Sequence, residues 1–348
     1  MEMSEIAKPD ECRSLTMKND DIRPNWAVLA AVRFVLASIV VVAHLCIFWE
    51  HPLFDEIEKL DALAAVIGFF MISGFSIHHS IQRDAQLFYQ RRFRRIYPIY
   101  LVCLLFAVLC HFLPYVHGAP IGNFDYLLLA ISTLIFAQSF VTPVPYNFMP
   151  SWTIGIEVAL YALAPLFFKM RARWIWGLIV VSAGLFAWNP LELVHGSHPV
   201  FVFSLVWAWL IGWMAAHEQM QSPSRRKMLF AMLFILPCMC LVLNGESVGV
   251  LRWIPILLVA LALTFSHKIA ISKLTKRCFI WAGDCSYPLY LIHIPVMIFM
   301  IKIGITSPIW SLLMMTLLSS LLVVWDKRLT LAFLTATKPK STRGEKAD

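Results

Sequence analysis

Residues 26–49 read WAVLAAVRFVLASIVVVAHLCIFW, and the fold is decided there. A helix needs about 20 apolar residues to cross the hydrocarbon core of a bilayer, and this stretch supplies them. The basic side chains within it are Arg33 and His44. Their eleven-residue spacing is about three helical turns, which places both on one face roughly 16 Å apart. A guanidinium or an imidazole at that depth costs a few kcal/mol unless it is compensated, so such groups mark function by default. The plain alternative is that each snorkels or satisfies a neighbour.

The rest of the chain agrees with a membrane environment. Of its 348 residues, 59% are hydrophobic and 14% charged, and the mean hydropathy is +0.72. Soluble domains carry about a quarter charged residues, so the composition is that of an integral membrane protein. The formal net charge of +8 would suggest a nucleic-acid partner in a soluble protein. Here basic loops on one membrane side explain it, and no nucleic acid is expected. Cys46, Cys103, Cys110, Cys238 and Cys240 lie in or beside apolar stretches, with neither metal-site spacing nor a disulfide framework. The first residues lack the apolar core of a cleavable signal peptide. The expected organisation is a polar cytoplasmic tail at 1–25, a membrane domain at 26–325 and a basic cytoplasmic tail at 326–348, with no second soluble domain.

Apolar stretches at 26–49, 61–80, 97–115, 124–141, 152–168, 174–190, 199–216, 228–244, 251–266, 280–302 and 307–325 are candidate spans. Basic clusters at Arg91–Arg95, Lys169–Arg173, Arg225–Lys227 and Lys268–Arg277 all fall on the side of the termini only if one stretch turns back. The 124–141 segment, followed by Pro143, Pro145 and Pro150, is the best candidate for a re-entrant segment. Irregular backbone is tolerated at membrane depth where it is buried in protein. The expectation is therefore an all-α polytopic helix bundle with about ten transmembrane helices, one re-entrant segment and both termini cytoplasmic. In that orientation His44 lies near the outer end of its span with Arg33 deeper toward the inside. Glu157 opens a later span and is expected to meet His44 at similar depth.

Four further motifs carry polar groups into or beside spans. Phe69-Phe70-Met71-Ile72-Ser73-Gly74-Phe75 brings a serine and a glycine, which let helices or a ligand approach closely; helix packing is the simpler reading. Arg91-Arg92-Phe93-Arg94-Arg95-Ile96-Tyr97-Pro98 puts Arg92 and Arg95 three residues apart on one helical side, a fork suited to phosphate oxygens. Its plain alternative is a basic loop that sets topology. Ser151-Trp152-Thr153-Ile154-Gly155-Ile156-Glu157 buries a carboxylate that must be paired, protonated or watered, with Tyr161 on the same face four residues on. A structural ion pair with an arginine is the alternative there. Tyr287-Pro288-Leu289-Tyr290-Leu291-Ile292-His293-Ile294-Pro295 places His293 within a span among helix-disturbing prolines, where a structural role is equally compatible. His78 and His79 read as interfacial, and His195, His198 and His217 as loop or helix-end residues.

In this order, these motifs resemble the acyltransferase-3 family of integral-membrane O-acyltransferases. The resemblance covers Arg33 with His44, Phe69–Phe75, Arg92 and Arg95 leading into Tyr97-Pro98, Ser151–Tyr161, and Tyr287–Pro295. Ala30-Ala31-Val32 replaces the Asp-Gly pair that often precedes the arginine, Gly155 stands where Ser is common, and Leu160 where an aromatic precedes the tyrosine. The resemblance implies transfer of an acyl group, usually acetyl from acetyl-CoA, to a sugar hydroxyl of a cell-envelope glycan, glycolipid or exported oligosaccharide. Acyl-CoA would be a co-substrate, with no tightly bound cofactor and no metal, in a bacterial cytoplasmic (inner) membrane. The partners would be membrane lipids, the carbohydrate or glycolipid acceptor and envelope glycan-assembly proteins. His44 is then the expected general base, Glu157 its orienting carboxylate and Arg33 a further catalytic group. Arg92, Arg95 and Ser73 are expected to bind the donor, and Tyr161 and His293 are additional candidates. A transporter or flippase of glycans or lipids, and an accessory subunit, are the competing classes.

Overall fold

In the computed structural model, the described residues are 24–49, 52–113, 123–188, 199–219, 226–243 and 250–336, and all their regular elements are helices. Nearly all of the expected tail at 1–25, the end of the basic tail, and His195 and His198 lie outside them. The helices are α1 (Trp26–Phe48), α2 (Pro52–Glu58), α3 (Ala62–Arg83), α4 (Phe88–Phe112), α5 (Asn123–Leu134), α6 (Ser151–Lys169) and α7 (Ala172–Trp188). They continue with α8 (Pro199–Ser204), α9 (Val206–Gln219), α10 (Arg226–Leu243), α11 (Trp253–Phe265), α12 (Lys273–Lys302) and α13 (Pro308–Ala336). Six of them, α1, α3, α4, α6, α12 and α13, are long and apolar enough to cross a membrane, and α7, α9, α10 and α11 are shorter apolar helices. The chain is thus an all-helical integral membrane protein.

Side-chain contacts show which helix ends lie together. Trp26 at the start of α1 packs on His79 near the end of α3, with ring centroids 5.5 Å apart. Tyr89 at the start of α4 donates to Ala162 O of α6 at 3.0 Å, and Asn25 donates to Ile269 O just beyond α11 at 2.9 Å. Lys327 of α13 pairs with Asp284 of α12 at 2.7 Å. These contacts bring the Arg91–Arg95 and Lys268–Arg277 clusters to one end of the bundle. At the opposite end Asp61, the N-cap of α3, accepts from Leu63 N at 2.7 Å and pairs with Arg252 before α11.

Close helix packing depends on glycine at particular points. A Cβ on Gly74 of α3 would lie 1.9 Å from Trp209 O of α9, and one on Gly212 would lie 1.8 Å from Met71 O. The two backbones therefore touch through reciprocal glycines, as the helix-packing reading of Phe69–Phe75 holds. Gly283 of α12 meets Ala30 of α1 in the same way, its Cβ position 2.4 Å from the alanine Cβ.

The 124–141 stretch is helical only to Leu134. Phe136 and Ser139 adopt positive φ, and a short bridge joins Gln138 to Thr142. The prolines that follow cannot donate backbone hydrogen bonds, so side chains satisfy the irregular segment. Buried Gln138 donates to Tyr100 OH at 3.0 Å and to Ser151 O at 2.9 Å, while Asn147 donates to Ala107 O at 2.7 Å. Buried Gln138 and Asn147 thus anchor the non-helical backbone against α4 and α6.

Two boundaries differ most from the sequence reading. α4 begins at Phe88, so the arginine cluster lies on its first turns rather than in a loop. α13 runs to Ala336, through the residues expected to begin a polar tail.

Lys302 closes the end of the bundle opposite the basic clusters. The residue is 2% exposed, and its ammonium donates to Cys110 O, His111 O and Leu113 O at 2.6, 3.0 and 2.9 Å. Three donors thereby meet carbonyls that the last turn of α4 leaves without intrahelical partners, at the negative end of its dipole. Lys302→Met orphans these groups at about 1–3 kcal/mol for a buried one. The variant is expected to melt several degrees lower in detergent; an unchanged melting temperature contradicts this role.

Candidate active site

A cavity of about 550 Å³ runs into the bundle from the basic end. All its walls come from the six long helices. α1 contributes Arg33, α3 Ser73, α4 Arg92 and Arg95, and α6 Glu157 and Tyr161. Six expected site residues are therefore gathered around one space. α12 and α13 add Asp284, Asp326 and Lys327 near the mouth, which the sequence reading had not singled out.

The arginine cluster divides its labour. Arg91 donates to Asp84 Oδ2 at 2.5 Å and also reaches Asp84 O and Ser80 O, fastening α4 to the end of α3. The backbone N–H of Leu87, aided by Arg91, holds the Asp84 carboxyl below its usual range. Arg92 and Arg95, one turn apart, face the cavity instead. The Arg92 guanidinium lies 5.8 Å from the Phe88 ring centroid and 5.9 Å from that of Tyr161. Ser73 Oγ and Tyr161 OH are 3.1 Å apart, joining α3 to α6 at the wall.

Charge is unevenly answered in this space. Lys327 pairs with Asp284, whereas Arg33, Arg92 and Arg95 make no ion pair or hydrogen bond among the described residues. The Nε atoms of Arg33 and Arg92 are buried without a partner. Glu157 is within electrostatic reach of Arg33 and Arg92 but is bonded to neither. Guanidinium groups are costly to withdraw from water. Three of them turned into one cavity give it a chemistry suited to polyanions, since their planar forks match phosphate.

His44 lies outside this lining, and its expected partner is replaced. Its Nδ1 is 2.8 Å from Val40 O and 3.4 Å from Nε2 of His293. His293 is fully buried, and its own Nδ1 is 2.8 Å from Tyr290 O. A carbonyl only accepts, so each Nδ1 carries a proton and donates, which leaves each Nε2 with its lone pair. His44 Nδ1–H is thus directed to Val40 O and His293, and His44 Nε2 is available to take a proton. Glu157 stays with Arg33 and Tyr161 in the cavity instead of meeting His44. The reason is helical: a side chain leans toward the N-terminus of its helix, so His44 reaches back over the preceding turn to His293 on neighbouring α12.

Gly155, where the resemblance favours serine, faces the irregular segment that follows α5: its Cβ position would lie 3.3 Å from Gln138 O. Among the described residues no group of three His, Cys, Asp or Glu side chains could hold a metal ion.

The candidate site is thus a cationic cavity among the six long helices, with an imidazole pair outside its lining. The family model described as an acyltransferase domain, acyltransferase-3, matches residues 26–325, and the chain belongs to that family. No curated protein and no solved structure gives a significant match.

Proposed function

We propose that this membrane acyltransferase moves an acyl group, acetyl in the simplest case, from cytosolic acyl-CoA to a hydroxyl of a cell-envelope or exported carbohydrate. The observation that carries this reading is the cavity whose three unpaired arginines lead toward His44. With the basic end facing the cytoplasm, as charge bias favours, the protein has about ten crossings in a bacterial inner membrane and both termini inside. Arg92 and Arg95 hold the phosphates of the donor near the mouth, and Arg33 takes a phosphate or polar group deeper in. The pantetheine arm then extends along α1 toward His44, a span of roughly 16 Å.

The acceptor hydroxyl is a weak nucleophile. His44 Nε2 removes its proton as the oxygen attacks the thioester carbonyl; the carbon–sulfur bond breaks, and the imidazolium returns the proton to the departing thiolate. The products are an O-acyl ester and free CoA thiol. Val40 O and His293 hold His44 in the tautomer this requires, the role a carboxylate plays in serine-hydrolase triads. Glu157 sets the charge of the donor cavity instead.

His293→Leu removes the acceptor facing His44 Nδ1, and kcat is expected to fall about tenfold with KM for acyl-CoA unchanged, the value of one hydrogen bond. His293→Gln, which can present a carbonyl oxygen there, should recover part of the loss. Equal damage by both variants, or a change confined to KM, contradicts the positioning role.

The reading as a whole is tested by mass spectrometry of envelope glycans from cells with and without the gene. One base-labile acyl unit should be lost with the gene. Identical spectra, together with no release of CoA thiol by membranes containing the protein, would overturn it.

A further inference from the structure

One aromatic ring stands between the arginine-lined cavity and the histidine pair. Tyr290 lines the deep end of the cavity, whereas His44 and His293 do not. It precedes His293 by three residues on α12, about 4.5 Å along the axis, and the two ring centroids are 6.0 Å apart. Phe69 of α3 also packs on it, with centroids 5.5 Å apart. The tyrosine hydroxyl is 3.0 Å from Thr153 Oγ1 of α6.

The direction of that last bond is fixed. A threonine hydroxyl has a single proton, and Thr153 donates it to Pro150 O at 3.0 Å. Tyr290 OH is therefore the donor to Thr153, and its ring is latched to the first turn of α6. Tyr290 and Thr153 are each 7% exposed. Three helices thus meet in one polar and aromatic closure at the point where the cavity stops.

We propose that Tyr290, latched by Thr153 and backed by Phe69, is the acyl-size selector of this enzyme. The inference rests on the acyl-transfer reading and deepens it. To reach His44 the thioester end of the donor has to displace or skirt this ring, and a ring held by Thr153 and Phe69 leaves least room for a long acyl chain, so the smallest acyl groups are favoured. The arginines grip the phosphates at the far end of the donor and do not contact its acyl group. Longer acyl-CoAs therefore still bind, and discrimination falls on turnover. An added methylene at a tight hydrophobic wall changes kcat/KM by about 10–200-fold, which sets the scale of the effect.

The test uses inverted membrane vesicles containing the full-length protein, supplied with acetyl-, propionyl- or butyryl-CoA, and reads CoA thiol release and acyl label in the glycan fraction. Wild-type turnover is expected to fall at least tenfold from acetyl to butyryl, with butyryl-CoA competing against acetyl-CoA. Tyr290→Leu and the milder Phe69→Leu should each raise the butyryl-to-acetyl ratio at least fivefold. Equal use of acetyl and butyryl by the wild type overturns the selector, as does an unchanged ratio in Phe69→Leu, whether or not Tyr290→Leu folds. A wild type that releases thiol from none of the three donors overturns the acyl-transfer reading itself, a distinguishable result.

Discussion

Purified His44→Ala is expected to bind acyl-CoA with wild-type affinity and to transfer acyl groups about 10²–10⁴-fold more slowly, the usual contribution of a general base. The two effects separate because His44 lies outside the cavity that holds the three arginines. The hydrogen-bond partners of its ring are one backbone carbonyl of its own helix and one histidine, so truncation removes a single polar tie between α1 and α12. Donor binding followed by calorimetry, beside thiol release, measures both. Retained turnover removes His44 as the base.

Arg92→Ala has the opposite signature. A charge-assisted hydrogen bond contributes about 1.5–3 kcal/mol, so KM for acyl-CoA should rise roughly tenfold to a hundredfold with kcat little changed. Arg92→Lys should recover only part of this, because an ammonium cannot reproduce the bidentate fork. Arg91→Ala, by contrast, breaks the tie from α4 to Asp84 and the end of α3 and should lower thermal stability without changing KM. A KM that responds to Arg91 and ignores Arg92 contradicts the assignment of the cluster.

Much of the site could be read before any fold was known, because membrane depth makes ionisable residues conspicuous. Arg33, Arg92, Arg95, Ser73, Glu157 and Tyr161 come from four helices and line one cavity. What the sequence could not supply was partnership. The meeting of His44 with His293 depends on how α1 and α12 cross, which the contact of Gly283 with Ala30 fixes. Local spacing on α1 gives no hint of it, and Glu157 was a reasonable but mistaken choice of neighbour from depth alone. Asp326 and Lys327 were hidden for another reason: polar residues at the end of an apolar run look like a solvated tail, yet α13 carries them along the cavity mouth. The irregular segment after Leu134 was legible only in part: Pro143, Pro145 and Pro150 mark its later half, whereas the helix already stops at Leu134, inside the apolar stretch 124–141. Its anchoring by Gln138 and Asn147 was not, since buried amides have no periodic signature.

A glycan or lipid passage would also place charges inside a bundle. Unlike acyl transfer, it consumes no thioester. Thiol release therefore separates the two classes without knowledge of the acceptor.

The central claim is that a thioester donor enters at the arginines and presents its acyl end to His44. The most direct measurement is the structure of the protein bound to a non-hydrolysable acetyl-CoA analogue. The account requires its phosphates within hydrogen-bonding distance of Arg92 and Arg95 and its acyl carbon beyond Tyr290, beside His44 Nε2. An analogue seated outside this cavity, or one whose acyl end points away from the histidine pair, would contradict it.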